Sequence, residues 1–280
     1  MSKIEWTQET WNPVVGCTRA SAGCDNCYAV TMTKRLAAMG QEKYAGLVNP
    51  GKGHFNGVVR TVQEALEVPL RWRKPRTIFV NSMSDLFHDG VPTEFIWKVW
   101  SVMRQTPQHT YQILTKRPER MQSVVAEMYE ANPHLGVPSN LWLGTSVENQ
   151  DAAWRVDELR KAPAAVRFLS CEPLIGPLES LNLDGIHWVI VGGESERGAR
   201  ACDVAWVRSL VKQCKAAGVP AFVKQLGSRP AGGWDADGMP TPDEWACYGI
   251  KLADSKGGNP DEWPEDLRIR ELPTPQPYGR

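Results

Sequence analysis

Short runs of apolar residues recur along the chain, and segments of helical periodicity separate them. The runs are rich in β-branched and aromatic residues and are continuous rather than alternating, which is typical of parallel strands covered on both faces. With the segment from Trp11 to Val15 they make a set of seven predicted strands. The other six runs are 78–80, 111–114, 141–143, 166–169, 188–191 and 221–223.

The segments between these runs predict amphipathic helices. In the segment from Thr93 to Gln105, apolar side chains such as Phe95, Val99 and Met103 recur at helical spacing after a Pro-Thr start. Three further helices are predicted at 118–130, 149–161 and 204–217. Regular alternation of strands and helices predicts an α/β fold with a parallel sheet, either doubly wound or a full or partial parallel (β/α) barrel.

The chain changes character after residue 227. From Ser228 onward Gly, Pro, Asp and Trp are dense, and no long periodic helix follows. The tryptophans argue against plain disorder, because aromatic residues are scarce in disordered chains. We therefore predict a barrel domain at 1–227 and an irregular C-terminal extension at 228–280 that packs on the barrel.

The composition is that of a soluble enzyme. The chain has 280 residues, of which 42% are hydrophobic, and this is enough for one large domain. Its net charge is zero, so nothing overall demands nucleic acid, although a local basic groove is compatible with a neutral total. No apolar run approaches the length of a membrane span, and the N-terminus is polar. We expect no membrane partner and a cytoplasmic location, in a bacterial or phage-infected host cell.

Three cysteines near the N-terminus carry the strongest chemical signal. Of seven cysteines in the chain, three form the motif Cys17-x6-Cys24-x2-Cys27, with Gly16, Gly23 and other small residues around them. Three thiolates on one loop can bind three irons of a [4Fe–4S] cluster, since thiolates are the usual ligands of such clusters. The fourth iron is then open to an external ligand, such as the amino acid part of S-adenosylmethionine.

Other interpretations of these cysteines stay open. The Cys-x2-Cys half is also typical of a structural zinc site, whose second half should be a Cys or His pair at short spacing. No such pair is present, and a disulfide framework is disfavoured by the odd cysteine count. A zinc-stabilised nucleic-acid-binding protein without catalysis is therefore the alternative function. The remaining cysteines are the singletons Cys171, Cys202, Cys214 and Cys247.

Polar residues follow nearly every predicted strand. In a parallel barrel the carboxyl ends of the strands meet on one face, where active sites are built. One such residue can be an ordinary helix cap, and Asn149 fits that description. So many polar strand ends together predict a shared site. The segments are 81–85, 115–118, 144–149, 170–173, 192–195 and 224–225.

With the cysteine motif, these segments resemble the radical S-adenosylmethionine superfamily, and more closely a phage and bacterial group within it. The resemblance covers most of the chain, from about residue 6 to 227. The usual superfamily pattern is Cys-x3-Cys-x2-Cys, whereas the first gap here is six residues. The matching segments are 11–13, 16–17, 23–29, 81–85, 114–118, 144–148, 192–195 and 223–225.

The resemblance implies a radical-SAM-like barrel and a mechanism. A [4Fe–4S] cluster on Cys17, Cys24 and Cys27 would bind S-adenosylmethionine through its open iron. One electron from a reductant of the flavodoxin or ferredoxin type would cleave the cofactor to methionine and a 5′-deoxyadenosyl radical, which takes a hydrogen atom from a carbon of the substrate. The protein would supply position and exclusion of water.

The resemblance also assigns residues to roles. Tyr28 would pack beside the adenine, Ser82 and Asp85 would bind the methionyl amino group, and Lys116 or Arg117 would hold its carboxylate. Hydrogen bonds to the ribose would come from Ser146, Glu148 and Asn149. The last two residues, Glu194 and Lys224, would act as catalytic residues on cofactor or substrate.

The phage association of the group implies a substrate, namely a modified nucleobase in DNA or a modified nucleotide. A concrete version is an isomerase that rearranges a hypermodified thymine carrying an aminoacyl group. The segment from Arg71 to Arg76 mixes cations with an aromatic side chain, as nucleic-acid surfaces do. A solvated helix terminus would explain this segment equally well.

Overall fold

A computed structural model describes residues 4–51, 53–232 and 251–274. The structure is mixed α/β. The helices are α1 (Tyr28–Ala38), α2 (Thr93–Gln105), α3 (Pro118–Ala131), α4 (Arg155–Lys161) and α5 (Val204–Ala217). The strands are β1 (Glu9–Trp11), β2 (Val14–Val15), β3 (Arg60–Thr61), β4 (Thr77–Val80), β5 (Thr110–Thr115), β6 (Leu141–Ser146), β7 (Val166–Cys171), β8 (Trp188–Gly192), β9 (Cys202–Asp203), β10 (Ala221–Gln225) and β11 (Pro230–Ala231).

The main sheet confirms the predicted α/β class. It has seven strands in the order β1-β4-β5-β6-β7-β8-β10, so each strand lies beside its neighbour along the chain. The pairs β1–β4, β4–β5, β5–β6, β7–β8 and β8–β10 are parallel. This order is that of a partial parallel barrel, with a helix between most successive strands and none between β7 and β8.

Six of the seven predicted strands are confirmed and run slightly longer than predicted, but the first is wrong in one respect. The segment from Trp11 to Val15 is not one strand. Only β1, which ends at Trp11, joins the main sheet, whereas β2 pairs antiparallel with β3. The strand breaks because Pro13 has no N–H to donate and because the Val14 N–H donates to the side chain of Asn81 at 3.3 Å.

The predicted helices are largely confirmed. Both α2 and α5 have the predicted bounds, but α4 begins at Arg155 instead of Asn149, because Gln150–Ala152 form a separate 3-10 turn. Helix α1 was not predicted from the sequence. Its buried face includes small or polar residues such as Ala29 and Thr33, so its apolar periodicity is weak. Among the described helices, none is long and apolar enough to cross a membrane.

The chain divides into two compact units. The first contains, of the described residues, 4–51, 53–145 and 158–167. Its sheet strands are covered by α2, which buries Ile96, Val99 and Met103. A second cluster of buried residues in this unit includes Val15, Leu47 and Met83, and Cys27 packs against it. The cysteine loop therefore rests on its own small core.

The second unit contains, of the described residues, 146–157, 168–232 and 251–274. The described part of the C-terminal extension packs here against β10, because the Val223 N–H donates to the Ile269 carbonyl at 2.8 Å. The extension also buries Trp263 and Leu267. Residues 233–250 lie outside the described residues, and the domain boundary after residue 227 stays a prediction.

Candidate functional site

The cysteine loop is shaped by a glycine and a helix start. Gly16 has φ of +87°, and a Cβ atom there would lie 2.1 Å from the Val58 carbonyl oxygen, so only glycine fits before Cys17. Cys24 closes a 3-10 turn, and Cys27 is the N-cap of α1. The N-terminus of a helix favours a negative charge such as a thiolate. The fold thus places Cys27 where its thiolate, as a metal ligand, would be stabilised by the helix N-terminus.

The three thiols lie within electrostatic reach of one another. Burial raises the pKa of Cys17 to about 12, with a further increase from Asp85 and smaller ones from Cys24 and Cys27, while Arg117 opposes them. The pKa of Cys27 is raised by burial and by Cys24, and Lys116 opposes the rise. The raised pKa values keep the thiols of Cys17 and Cys27 protonated at neutral pH, and binding a metal would release their protons.

Whether these residues fit a [4Fe–4S] cluster depends on the donor set. Among the described residues, no group of three or more His, Cys, Asp or Glu side chains is arranged to hold a metal ion. The free thiols Cys17, Cys24 and Cys27 are partly buried, with neighbouring cations Arg117 and Lys116 that favour the thiolate form. The donor chemistry fits a cluster held by three thiolates.

Arg117 joins the cysteine loop to the strand ends. Its guanidinium donates to Thr18 Oγ1 at 2.7 Å and to Asp85 Oδ2 at 2.9 Å, and it lies 4.0 Å from the sulfur of Cys17. Both Arg117 and Asp85 are largely buried, with side-chain exposures of 14% and 7%. The ion pair therefore holds the first cysteine of the motif against the end of β5.

The carboxylate of Asp85 is engaged on every side by the protein. Beyond Arg117, it accepts from the Phe87 N–H at 3.0 Å, the Thr115 hydroxyl at 2.7 Å and the Lys116 N–H at 3.2 Å. Such a carboxylate acts first as a structural anchor for the loop after β4. Its predicted role in binding the methionyl amino group stays a prediction.

His88 completes this network. Its Nδ1 accepts from the Gly90 N–H at 3.0 Å, so its Nε2 carries the proton and donates to Thr18 Oγ1 at 2.9 Å. Burial and then Arg117 lower the pKa of His88, which keeps the ring neutral. His88 thus positions the residue after Cys17 and has no exposed proton-transfer role in this arrangement.

Replacing Arg117 with alanine is expected to lower the free energy of unfolding by roughly 3 kcal/mol, because it leaves the buried Asp85 carboxylate without its charge partner. Urea denaturation followed by circular dichroism measures the free energy of unfolding. Arg104→Ala is the matched control, since Arg104 also donates to loop carbonyls, at Leu135 and Gly136, but lies outside the network. Equal midpoints for Arg117→Ala and the unchanged protein would contradict the anchoring role.

Tyr28 and Ser82 meet beside the cysteine motif. The Tyr28 hydroxyl donates to the Ser82 carbonyl, and the Ser82 hydroxyl donates to Asn12 Oδ1 at 3.2 Å. Asn81, just before Ser82, has a φ of +58°, which is uncommon for any residue but glycine. Its buried Nδ2 has no hydrogen-bond partner among the described residues. A strained residue with an unsatisfied donor at a strand end is typical of a ligand site.

In the second unit, Glu194 forms an ion pair with Arg200. One carboxylate oxygen of Glu194 accepts from the Arg200 N–H at 2.8 Å, and the other accepts from its guanidinium. Glu194 is 6% exposed. Gly193, just before it, leaves no room for a Cβ atom, which would lie 2.5 Å from the Leu226 carbonyl oxygen. The β8 end is therefore held tightly against the residues that follow β10.

Lys224 pairs with a carboxylate that was not among the predicted site residues. Its ammonium donates to Glu172 Oε1, and both side chains are less than one-fifth exposed, at 18% and 19%. Gln225 connects this pair to the β8 end, because its amide donates to the Gly193 carbonyl at 2.9 Å. The ends of β7, β8 and β10 thus share one polar cluster in this unit.

The three residues predicted to bind the ribose are in structural roles here. Arg155 is 2.9 Å from the Glu148 carboxylate and donates to the Ser146 carbonyl at 2.9 Å, and the Arg155 and Glu148 side chains are 5% and 1% exposed. The Asn149 amide donates to Asp151 at 3.3 Å, and its carbonyl accepts from the Ala152 N–H. Asn149 stands at the N-cap position of the 3-10 turn Gln150–Ala152 but makes no side-chain capping hydrogen bond, and ribose binding stays a prediction.

A family model described as "Protein of unknown function (DUF5131)" matches residues 1–249. The chain belongs to the DUF5131 family. No curated protein and no solved structure matches it. The region that defines the DUF5131 match contains all three motif cysteines and every predicted site residue up to Lys224.

Sequence reasoning missed several members of these clusters in the DUF5131 chain. Glu172 was noticed only as part of a polar strand end, and Thr18, His88, Arg155 and Arg200 were not named as site residues. For Arg155 and Arg200 the one available signal was charge balance, since a buried carboxylate needs a cation near it, whereas Thr18 and His88 carried no such signal. Cys247 lies outside the described residues. A site shared by all the strand ends stays a prediction, because each cluster belongs to its own unit.

Proposed function

We propose that this DUF5131 protein is a radical S-adenosylmethionine enzyme that holds a [4Fe–4S] cluster on Cys17, Cys24 and Cys27. The observation that carries the proposal is the cysteine loop. Its three thiols lie within electrostatic reach of one another, and Arg117 anchors its first cysteine to a strand end. The longer first gap of the motif enlarges the loop, and its Cys-x2-Cys half enters a helix.

When bound, a [4Fe–4S] cluster with S-adenosylmethionine supplies one-electron reductive cleavage of the cofactor and hydrogen-atom abstraction from a substrate carbon. The residues of the chain bind and orient. Arg117 and Asp85 fix the loop, and Lys116 favours the thiolate of Cys27. Tyr28 follows Cys27 in the chain, is 40% exposed and would pack on the adenine. Partial burial of the three thiols limits the access of water, which protects reactive species.

The contacts distinguish between the two cations predicted for the cofactor carboxylate. The Arg117 guanidinium already donates hydrogen bonds to Asp85 and Thr18. The Lys116 charge acts on Cys27, so its ammonium lies near the motif. We therefore assign the carboxylate to Lys116, and the buried Asn81 Nδ2, a donor without a partner among the described residues, suits an acceptor such as the same carboxylate. The amino group stays assigned to Ser82 and Asp85.

The substrate we propose is a modified nucleobase in DNA, and the proposed reaction is an isomerisation of that base. Glu194 and Lys224 are the catalytic residues proposed for it. Both are held at strand ends by ion pairs, Glu194 by Arg200 and Lys224 by Glu172. Such paired groups keep a fixed geometry, which favours precise placement of a substrate.

The proposal is tested by cofactor cleavage. Protein reconstituted anaerobically with iron and sulfide, then reduced with dithionite, should release 5′-deoxyadenosine from S-adenosylmethionine even without substrate, as measured by chromatography. Cys24→Ala protein is the control and should release none. The radical-enzyme proposal is rejected if the loaded and reduced protein releases no 5′-deoxyadenosine and if adding S-adenosylmethionine leaves the electron paramagnetic resonance spectrum of the cluster unchanged. Stoichiometric zinc without iron would instead favour a non-catalytic nucleic-acid-binding protein.

A further inference from the structure

Helix α1 carries an exposed stripe of large side chains. At 3.6 residues per turn, Tyr28, Met32, Arg35 and Met39 fall within about 60° of one another around the helix axis. Tyr28, Met32 and Met39 are 40%, 39% and 66% exposed, and Arg35 is exposed. We call these four residues the α1 stripe.

A different face of α1 stabilises the fold. It packs on the buried cluster below the cysteine loop through Ala29, Leu36 and Ala37. Of the seven exposed large hydrophobic residues in the described part of the chain, three belong to the α1 stripe. Packing of the helix does not explain this concentration, and apolar side chains gathered on a surface are typical of a binding site.

The charge around the stripe favours an acidic partner. Between residues 28 and 44 the chain has the cations Lys34, Arg35 and Lys43 and a single acid, Glu42. Lys34 and Arg35 are exposed and have no ion-pair partner among the described residues. Complementary charge on a partner raises its rate of association.

The position of the stripe relates it to the cysteine motif. Its first residue, Tyr28, directly follows Cys27, which is the N-cap of α1. The proposed cluster must gain one electron for each cleavage, and that electron must come from outside, with the donor oxidised by one electron. From this continuity and the cationic surface, we infer that the α1 stripe is the docking surface for an acidic one-electron carrier protein. This inference rests on the proposed function.

The size of the stripe suits a transient encounter. The helix has 11 residues and is therefore about 16 Å long. Electron-transfer complexes use the smallest of the specific protein interfaces, whereas stable homodimers bury far more surface. Brief docking also lets the oxidised carrier leave, as repeated single-electron delivery requires.

The experiment compares a protein reductant with a small one. Reconstituted Arg35→Glu/Met39→Glu protein should be reduced by photoreduced flavodoxin, an acidic carrier, at least about ten-fold more slowly than unchanged protein at low salt, because electrostatic steering is reversed. Reduction by dithionite should not change. Stopped-flow absorbance of the cluster measures both rates, and calorimetric titration with flavodoxin, before iron is added, measures docking separately. The matched control is Arg73→Glu/Leu272→Glu, which alters an exposed cation and an exposed apolar residue elsewhere.

Each possible result either supports or overturns the assignment of the α1 stripe as a docking surface. Slower reduction by flavodoxin and weaker binding, with the control variant unchanged, support the docking surface. Equal rates for both variants with an intact cluster overturn it and leave the proposed function standing. A monomer–dimer shift in sedimentation, or loss of duplex DNA binding, caused by the stripe variant without any change in flavodoxin binding would assign the surface to a second copy or to DNA and overturn the inference. Protein that takes up no iron overturns the proposed function itself.

Discussion

Replacing Cys17, Cys24 or Cys27 singly with alanine is expected to reduce the bound iron from about four atoms per chain to nearly none, because each thiolate ligates a different iron of the cubane. Two remaining thiolates would not hold the cluster against exchange with solvent. Iron and acid-labile sulfide analysis after anaerobic reconstitution measures the loss of iron. The charge-transfer absorbance of the cluster in the visible region measures the loss of the cluster independently.

Cys202→Ala and Cys214→Ala are the matched controls for this prediction. Both thiols are buried and belong to the second unit, whereas the three motif cysteines lie on one loop of the first unit, so neither is expected to be a ligand. Their iron and sulfide contents should equal those of the unchanged protein. Full iron content in any one of the three motif variants would show that its cysteine is not a ligand, and one zinc per chain without iron would reject the cluster.

Much of the fold followed from local pattern. The continuous apolar runs became parallel strands, because such runs are buried on both faces and little else can accommodate them. Helix α2 was found at its correct bounds because its apolar residues repeat clearly. Helix α1 was missed because small residues on its buried face give a weak periodic signal. The exposed apolar residues Met32 and Met39 weaken the contrast between its apolar and polar faces further.

The candidate site was predictable in its residue types but not in its pairings. The spacing of the motif cysteines singled them out, since such clustering has few structural explanations. That Arg117 engages Asp85 and Thr18, or that Lys224 engages Glu172, depends on how neighbouring strand ends align. A sequence does not display that alignment, because contacts between residues 32 or 52 positions apart are set by the tertiary fold.

The split of the first predicted strand has the same origin. Trp11 to Val15 reads as one apolar segment, yet the side chain of Asn81 from the next sheet strand takes the Val14 N–H. The Trp11 carbonyl in turn accepts from the Asn81 N–H at 2.7 Å. A polar residue distant in sequence thus ends β1 and directs the chain towards the cysteine loop.

Glu194→Gln and Lys224→Met are each expected to slow turnover of a modified thymine in DNA by roughly 100-fold, while iron content and substrate-free cleavage of S-adenosylmethionine stay unchanged. Both side chains are held by ion pairs at strand ends. Loss of either pair lets the groups around it move, and a displacement of about 1 Å is enough to cost such a factor. The measurement is digestion of the treated DNA to nucleosides, followed by chromatography and fragmentation mass spectrometry, because an isomerisation leaves the mass constant.

Lys215→Met is the matched control, since Lys215 is an exposed cation on α5. It should turn over the modified base at the rate of the unchanged protein. Binding of polymeric DNA should weaken steeply with salt, because phosphate contacts release counterions, whereas a free nucleotide should show a shallow dependence. Variants at Glu194 and Lys224 with full turnover would remove these residues from the catalytic assignment. An unchanged nucleoside profile with the unsubstituted enzyme, on modified and unmodified DNA alike, would reject the nucleobase substrate and leave the radical-enzyme proposal to its own test.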